Sequence, residues 1–445
     1  MEAAHRLVPN TDQVPTLRSV LLQDRTGRIQ AILPADALLD LRAVQEETGR
    51  DFRAVAESEL KGLLASKRLS PLEEFAPLNH CTSIIDSSIE DSELAFHFLN
   101  QDGNPGSANL NREKLRAALL KHEHELLEIK IAVPASELYY DKPDRNSDEE
   151  QIVASVQNFT SRRIKQRLED TLEIPTLPQT AQRIIQLRSD PNAVVSDLAE
   201  IVESDPSLAA QVVSWAASPY YAIPGKIRSV QDAIVRVLGF DLVGNLALGL
   251  AMGKTLAMPK DKADGITPYW TQSIFCSTLV EAIVKLVPAE LKPGKGLTYL
   301  SGLLHNFGYL VLGHIFPPHF SQICRYMEAN PDISHMVIEH HLLQITREQI
   351  CVWLMDLWNM PEEIGTAIQY QHDPYYSGPH CAYPNLIYIA LRLLRQHGIG
   401  DAPYEDIPEH LFERYGLDID QVLEVTQQVV DSREEIEAIA RNFAD

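Results

Sequence analysis

Apolar residues in the first third of the chain form short strand-like runs, interrupted by one stretch of helical spacing. Residues 20–22 and 29–33 are apolar and flank the turn sequence Asp24-Arg25-Thr26-Gly27, so a β-hairpin is predicted over residues 14–34. A helix and two further strands are predicted at residues 38–49, 82–85 and 95–99. This mixture indicates an N-terminal α/β domain over residues 1–133.

From about residue 174 onward, the apolar positions recur almost entirely at helical spacing. The pair Asp205-Pro206 separates two amphipathic helices, and Ser229 is placed to cap a third. Gly249 and Gly253 lie four residues apart in an apolar helix, which predicts that a neighbouring helix approaches closely there. This part of the chain is therefore predicted to be an all-α bundle.

A polar, acidic and turn-rich segment over residues 134–150 has the composition of a linker. The helical bundle is predicted over residues 151–377, and a helical extension over residues 378–445. The acidic, amphipathic end of this extension is suited to packing back on the bundle or to pairing with another subunit in a homo-oligomer. The predicted fold class is multidomain: an N-terminal α/β domain followed by an all-α helical bundle.

The chain of 445 residues carries a formal net charge of −23. Binding to a phosphate backbone or to anionic lipid depends on Lys and Arg, so nucleic-acid and membrane partners are disfavoured. Five scattered cysteines without a C-x-x-C pair are typical of free thiols in a reducing compartment. Residues 1–16 lack the layout of a signal peptide, and the longest apolar stretch, residues 242–258, is short for a bilayer span. We expect a cytoplasmic protein.

Several well-spaced motifs in the helical part resemble the HDOD domain, a bacterial signalling relative of the HD phosphohydrolases. They are Ile174-Pro175-Thr176-Leu177-Pro178, Asp205-Pro206-Ser207-Leu208, Ser218-Pro219-Tyr220-Tyr221, residues 229–239, residues 302–308 and Trp358-Asn359-Met360-Pro361. The resemblance implies an all-α fold and a link to signal transduction.

Metal-dependent HD enzymes gather His and Asp ligands from several helices of one bundle. The resemblance places those ligands at seven positions of this sequence, which are Gln272, His305, Asn306, Arg347, Gln371, His372 and Leu391. Two imidazoles remain, and none of these positions carries a carboxylate. The permanent positive charge of Arg347 would oppose a cation. We therefore predict no catalytic residues, no metal and no cofactor.

These seven positions are called the degenerate HD-type site, because the metal ligands of the enzymes are largely replaced. Two interpretations of the site stay open. His305 and His372 are expected to be hydrogen-bonded interior histidines. The surrounding pocket is either a place for a neutral or anionic ligand beside Arg347 or simply part of the core.

Residues 14–130 resemble the YbaK-type aminoacyl-tRNA deacylases, which are related to prolyl-tRNA synthetase editing domains. The match is best over residues 18–41, where active members carry a Lys at the position of Arg18. Their Gly-rich loop falls at residues 61–71, of which only Gly62 is glycine here. Arg cannot replace a compact, titratable ammonium, so the resemblance implies the fold more than the activity.

Three other groups of residues resemble functional sites at first sight. In each case the spacing favours an ordinary structural role. His122-Glu123-His124 would put its two imidazoles on different faces of a helix. Pro293-Gly294-Lys295-Gly296 lacks the spacing of a phosphate-binding loop and follows no strand. Cys81 beside His80 lies in a strand, where adjacent side chains face opposite ways.

The sequence thus predicts a non-catalytic regulatory protein of bacterial signal transduction, whose HDOD module binds a protein partner or a small ligand. Two enzyme alternatives remain. One is a trans-editing deacylase, with tRNA as its partner and Arg18 doing the work of the missing Lys. The other is an HD-type metal-dependent phosphohydrolase, which would need carboxylate ligands.

Overall fold

The computed structural model describes residues 16–56, 59–60, 81–91, 94–99, 105–120, 125–134, 137–138, 148, 150–155, 176–188, 190–221, 227–256, 259, 261–293 and 297–444. The chain divides into two compact units. The sheet unit comprises residues 1–142, 261–265 and 321–342, and the helical unit comprises residues 143–260, 266–320 and 343–445. The predictions for residues 61–71, 80, 122–124, 156–173, 174–175 and 294–296, and most of the linker, lie outside the described residues.

The sheet unit is built around the predicted hairpin. Strand β1 (Thr16–Gln23) pairs antiparallel with β2 (Arg28–Pro34), in a register that runs from Leu17 opposite Pro34 to Gln23 opposite Arg28. The Asp24 carboxylate accepts hydrogen bonds from the backbone nitrogens of Thr26 and Gly27 at 2.7 and 2.9 Å, which closes the turn. The other strands are β3 (Leu38–Leu39), β4 (Arg53–Ala54), β5 (Thr82–Asp86), β6 (Leu94–Leu99), β7 (Pro105–Leu110), β8 (Leu126–Ile129) and β9 (Ala132–Val133).

The main sheet has the order β7-β6-β1-β2-β5-β8, and β4 pairs with β1. Strands β1 and β6, β2 and β5, and β5 and β8 are parallel. Helix α2 (Arg112–Leu120) packs Leu115 and Leu119 against buried residues of the sheet, which include Leu17, Ile32 and Ile85. These elements confirm an N-terminal α/β region.

Helix α1 (Leu41–Thr48) begins three residues later than the sequence predicts, because Leu38–Leu39 form strand β3, and it ends at the predicted glycine. Asp40 caps it, because its carboxylate accepts from the backbone nitrogen of Arg42 at 2.9 Å. Gly49 ends it with φ at 68°, a left-handed conformation that glycine adopts without strain.

The remaining described helices, in chain order, are α3 (Gln179–Arg188), α4 (Val195–Glu203), α5 (Pro206–Ala216), α6 (Val230–Ala233), α7 (Phe240–Gly253), α8 (Tyr269–Leu286), α9 (Leu297–Leu304), α10 (Phe307–Ile315), α11 (Pro317–Ala329), α12 (His335–Leu343), α13 (Arg347–Leu357), α14 (Glu362–Tyr370), α15 (Ala382–Gln396), α16 (Glu409–Arg414), α17 (Ile419–Asp431) and α18 (Arg433–Ala444). Ser229 caps α6 as predicted, and Asp205, which was predicted only to separate two helices, caps α5. One difference is a π-helix at Ile234–Leu238, which continues α6.

Helix α8 is the centre of the helical unit and packs against α9, α15, α17 and α18. Small residues permit this packing. A Cβ on Gly302 of α9 would lie 2.7 Å from the Ser277 Cα of α8, and a Cβ on Gly253 of α7 would lie 2.6 Å from the Trp270 ring. The predicted close approach at Gly249 and Gly253 is confirmed. Among the described residues, no helix has both the length and the apolar character that crossing a bilayer requires.

The compact units differ from the continuous domains that the sequence predicts. Residues 321–342, which include most of α11 and α12, cluster with the sheet unit. The amide of Asn330, 1% exposed, accepts from the backbone nitrogen of Leu39 at 2.7 Å and donates to its carbonyl at 3.2 Å. Tyr326 donates to Asp40 Oδ1 at 2.5 Å. Polar contacts of this kind leave no trace in apolar periodicity.

Candidate functional site

The seven degenerate positions are all buried in the helical unit. Gln272 lies on α8, and His305 and Asn306 form the junction of α9 and α10. Arg347 is the first residue of α13, where Thr346 caps the helix and forms a capping box with Gln349. Gln371 and His372 follow α14, and Leu391 lies on α15.

Three of these side chains form one hydrogen-bonded row. Gln272 donates from Nε2 to the Thr267 carbonyl at 2.6 Å, and its Oε1 accepts from Asn306 Nδ2 at 3.1 Å. Asn306 Oδ1 in turn accepts from Arg347 Nη1 at 2.9 Å. The amide oxygens that could face a cation are therefore engaged by donors within the protein.

The guanidinium of Arg347, on a residue only 1% exposed, is paired with a carboxylate that the sequence analysis missed. Its Nη1 lies 2.7 Å from Asp401 Oδ2, and its Cζ lies 5.3 Å from the centre of the Tyr309 ring. Asp401 lies in the irregular segment after α15, where no family motif or periodic pattern marks it. A buried cation needs such a partner.

His305 is an interior, neutral imidazole. Its Nδ1 donates to the Gly302 carbonyl at 2.7 Å. Burial lowers the pKa of His305 from 6.5 to about 4, because a charged imidazolium loses its hydration there. The carbonyl of Gly302, Asp401 and Glu348 oppose this shift, and Arg347 adds to it.

Acidification should therefore destabilise the helical unit through His305. Between pH 4 and 6.5 the unfolded chain binds a proton at His305 that the folded chain does not bind. The free energy of unfolding therefore rises with pH in this interval and falls as the pH is lowered from 6.5 to 4. The full effect is roughly 3 kcal/mol. Urea unfolding across this range should show the slope in the wild-type chain and a weaker slope in His305→Gln. Equal slopes would contradict a buried neutral His305.

His372 belongs to a second buried group of polar side chains. Arg392 donates from Nη1 to His372 Nδ1 at 3.0 Å, so the imidazole proton is on Nε2, which lies 3.5 Å from Glu348 Oε1. Arg392 also pairs with Glu405 at 2.6 Å and lies over the Tyr388 ring at 3.9 Å. The family resemblance points to Leu391 on this helix, and the polar side chain that contacts His372 is that of its neighbour, Arg392.

The row of Gln272, Asn306 and Arg347 does not fit a bound metal ion. Its nearby carboxylate, Asp401, is bonded to Arg347, and the two amide oxygens of the row accept from donors within the protein. Hard cations require carboxylates that are not already neutralised. The arrangement can instead recognise polar groups. Gln371 donates to the His305 carbonyl at 2.9 Å, while its buried Oε1 has no hydrogen-bond partner among the described residues.

Arg18, the deacylase-like position of the sheet unit, is an anchor in the structure. Its Nη2 donates to Asn330 Oδ1 at 2.5 Å and to the Ala37 carbonyl at 3.1 Å, and its Nη1 donates to the Ala329 carbonyl at 3.0 Å. Burial lowers the pKa of Arg18 to about 10, which leaves it charged at neutral pH. Burial also raises the pKa of Cys81 to about 11, so that thiol stays protonated.

Comparisons with known proteins agree with this fold. The HDOD domain family matches residues 174–374. A crystal structure from Marinobacter aquaeolei VT8, of a protein named as a candidate signal transduction protein, is 41% identical over 99% of this chain and 96% of that chain, with a TM-score of 0.85. An HDOD domain protein of unknown function from Geobacter sulfurreducens is 22% identical, covers 66% of this chain and 99% of that one, and has a TM-score of 0.53.

A curated relative is an uncharacterized protein of Treponema pallidum (strain Nichols), 23% identical over 281 residues. The match covers 62% of this chain and 52% of the relative, so the chain spans about half of that protein's length.

Proposed function

Because the chain belongs to the HDOD-domain proteins of the HD superfamily, we propose that it is a non-catalytic regulatory protein of signal transduction. Its degenerate HD-type site binds a protein partner or a small ligand. The observation that carries the proposal is the Arg347 guanidinium, which is bonded to Asn306 and Asp401 where an HD enzyme holds its metal. A permanent cation at this position opposes the Lewis-acid chemistry on which HD hydrolases depend.

Two assays on the full-length chain test this proposal. The first measures hydrolysis of a generic phosphodiester with added manganese, and we expect no activity that a chelator removes. The second measures binding of a panel of nucleotides and candidate signalling proteins by calorimetry, and we expect a saturable complex with at least one of them. Chelator-sensitive turnover would contradict the proposal, as would a chain that binds nothing in the panel.

We also propose a cellular compartment and an oligomeric state for the protein. Five free cysteines, four of them buried, fit a reducing compartment such as the cytoplasm. Helix α17 exposes Ile419 and Leu423, by 45% and 46%, which supports self-association through the C-terminal extension. Light scattering on the purified chain would detect such a homo-oligomer.

We further propose that the sheet unit is a YbaK-type fold that has lost deacylation. The role of Arg18 as a buried anchor supports this, because a side chain held by three acceptors is not available to act on a tRNA ester. A deacylation assay over a panel of mischarged tRNAs should show no turnover. Turnover that disappears in Arg18→Ala, with the fold intact, would instead support the editing alternative.

Arg18→Ala should destabilise the sheet unit. The change removes three charged hydrogen bonds and leaves the Asn330 amide with fewer partners, so we expect a loss of about 3 kcal/mol in the free energy of unfolding. Arg42→Ala is the matched control, because Arg42 Nη2 makes an exposed contact of 3.2 Å with Gln322. Its cost should stay below about 1 kcal/mol. Equal effects of the two changes in denaturant unfolding would rule out the anchoring role.

A further inference from the structure

The irregular segment of residues 398–408, called here the strap, joins α15 to α16 and lies over the degenerate site. Gly398 and Gly400 adopt φ values of 70° and 90°, which lets the chain turn back immediately after α15. The Gly400 nitrogen donates to Thr267 Oγ1 at 3.0 Å, and its carbonyl accepts from Arg395 Nη1 at 2.9 Å. Thr267 is also the acceptor of Gln272, so the strap and the polar row share a support.

Two carboxylates of the strap neutralise two arginines of the bundle. Asp401 pairs with Arg347 at 2.7 Å, and Glu405 pairs with Arg392 at 2.6 Å. Both arginines are 1% exposed, whereas the Asp401 and Glu405 side chains are 10% and 39% exposed. The cations therefore belong to the packed core, and their counterions come from an irregular surface segment.

We propose that the Arg347 guanidinium, which Asn306 holds in place, is a binding site for a small oxyanion, and that the Asp401 carboxylate occupies this site in cis. The inference rests on the proposed function and names its ligand class: a molecule with a phosphate or carboxylate group. Such a group replaces Asp401 without leaving Arg347 unpaired, because a guanidinium binds either oxyanion in similar geometry. Binding then releases the strap, and the released strap is the signal that a partner detects.

Two side chains that contact residues of the site or the strap carry buried polar atoms without a described hydrogen-bond partner. These atoms are Gln371 Oε1 and Arg392 Nε. Gln371 donates to the carbonyl of His305, the chain neighbour of Asn306, and Arg392 pairs with Glu405 of the strap. A buried polar atom without a partner carries a desolvation cost.

Pyrophosphate and succinate are the probes, and Asp401→Asn is the test variant. The substitution removes the competing carboxylate, so calorimetry should show affinity for at least one probe increased about tenfold or more over wild type. Asp406→Asn is the matched control, since it removes the same charge from an exposed position of the strap and should leave the affinity unchanged. The gain should disappear in the double variant Arg347→Met/Asp401→Asn.

Hydrogen exchange on the wild-type chain provides a test that does not depend on a stable variant. Saturating probe should speed exchange of the strap amides, Gly400 above all, and leave α16 unchanged. The inference is overturned if the wild type, Asp401→Asn and Asp406→Asn bind both probes with equal affinity. It is also overturned if saturating probe does not change hydrogen exchange in the strap. The proposed function would still hold after either outcome, provided that the wild-type chain binds a partner and hydrolyses no phosphodiester.

Discussion

Gly308→Ala is expected to lower the free energy of unfolding of the helical unit by about 3 kcal/mol, because overpacking against rigid backbone has no easy relief. Gly308 lies in the first turn of α10, and a Cβ there would overlap the backbone carbonyl of Arg347. Relief would require α13 to move, and with it the bonds from Arg347 to Asn306 and Asp401. Denaturant unfolding monitored by tryptophan fluorescence measures the loss.

Gly244→Ala is the matched control for this change. Gly244 lies inside α7, and an added Cβ would make an ordinary contact of 3.9 Å with Leu198 Cδ2. Alanine has the higher helix propensity, so this variant should be neutral or more stable by roughly 0.5–1 kcal/mol. If both variants unfold alike, close packing of α10 on α13 does not hold the site together.

Arg347→Ala is expected to cost about 3–5 kcal/mol in the free energy of unfolding, since it leaves Asp401 near the core without its counterion. The control is Arg325→Ala, which removes an exposed ion pair with Asp51 whose side chains are 45% and 60% exposed. An exposed pair contributes below about 1 kcal/mol, so the two losses should be clearly different.

A double-mutant cycle separates the ion pair from the packing of Arg347. In Arg347→Met/Asp401→Leu both charges are replaced by apolar side chains, and much of the loss caused by either single change should be recovered. Strictly additive losses in the cycle would mean that Arg347 and Asp401 do not stabilise each other.

The position of the candidate site could be predicted from the sequence. Its chemistry could be predicted only in part. The family resemblance assigns Gln272, Asn306 and Arg347 to one site, and the three side chains form one hydrogen-bonded row. Asp401 could not be found in the same way. It lies in an irregular segment with no periodicity, so nothing in the chain predicts which cation it meets.

The elements of the fold were easier to predict than their assembly. The β1–β2 hairpin, the cap at Ser229 and the end of α1 at Gly49 depend on neighbouring residues, and local sequence is sufficient to predict them. The assignment of residues 321–342 to the sheet unit depends on single polar residues such as Asn330. Helical periodicity identifies the face that is buried but not the element that covers it.

Metal analysis of the full-length chain, after equilibration with excess manganese and removal of the free ion, tests most directly whether the HD-type site is non-catalytic. The Arg347 guanidinium and the engaged amides of Asn306 and Gln272 predict a metal content far below one ion per chain. About one ion per chain, lost on substitution of His305 and His372, would show that the site still holds a metal and would contradict the account.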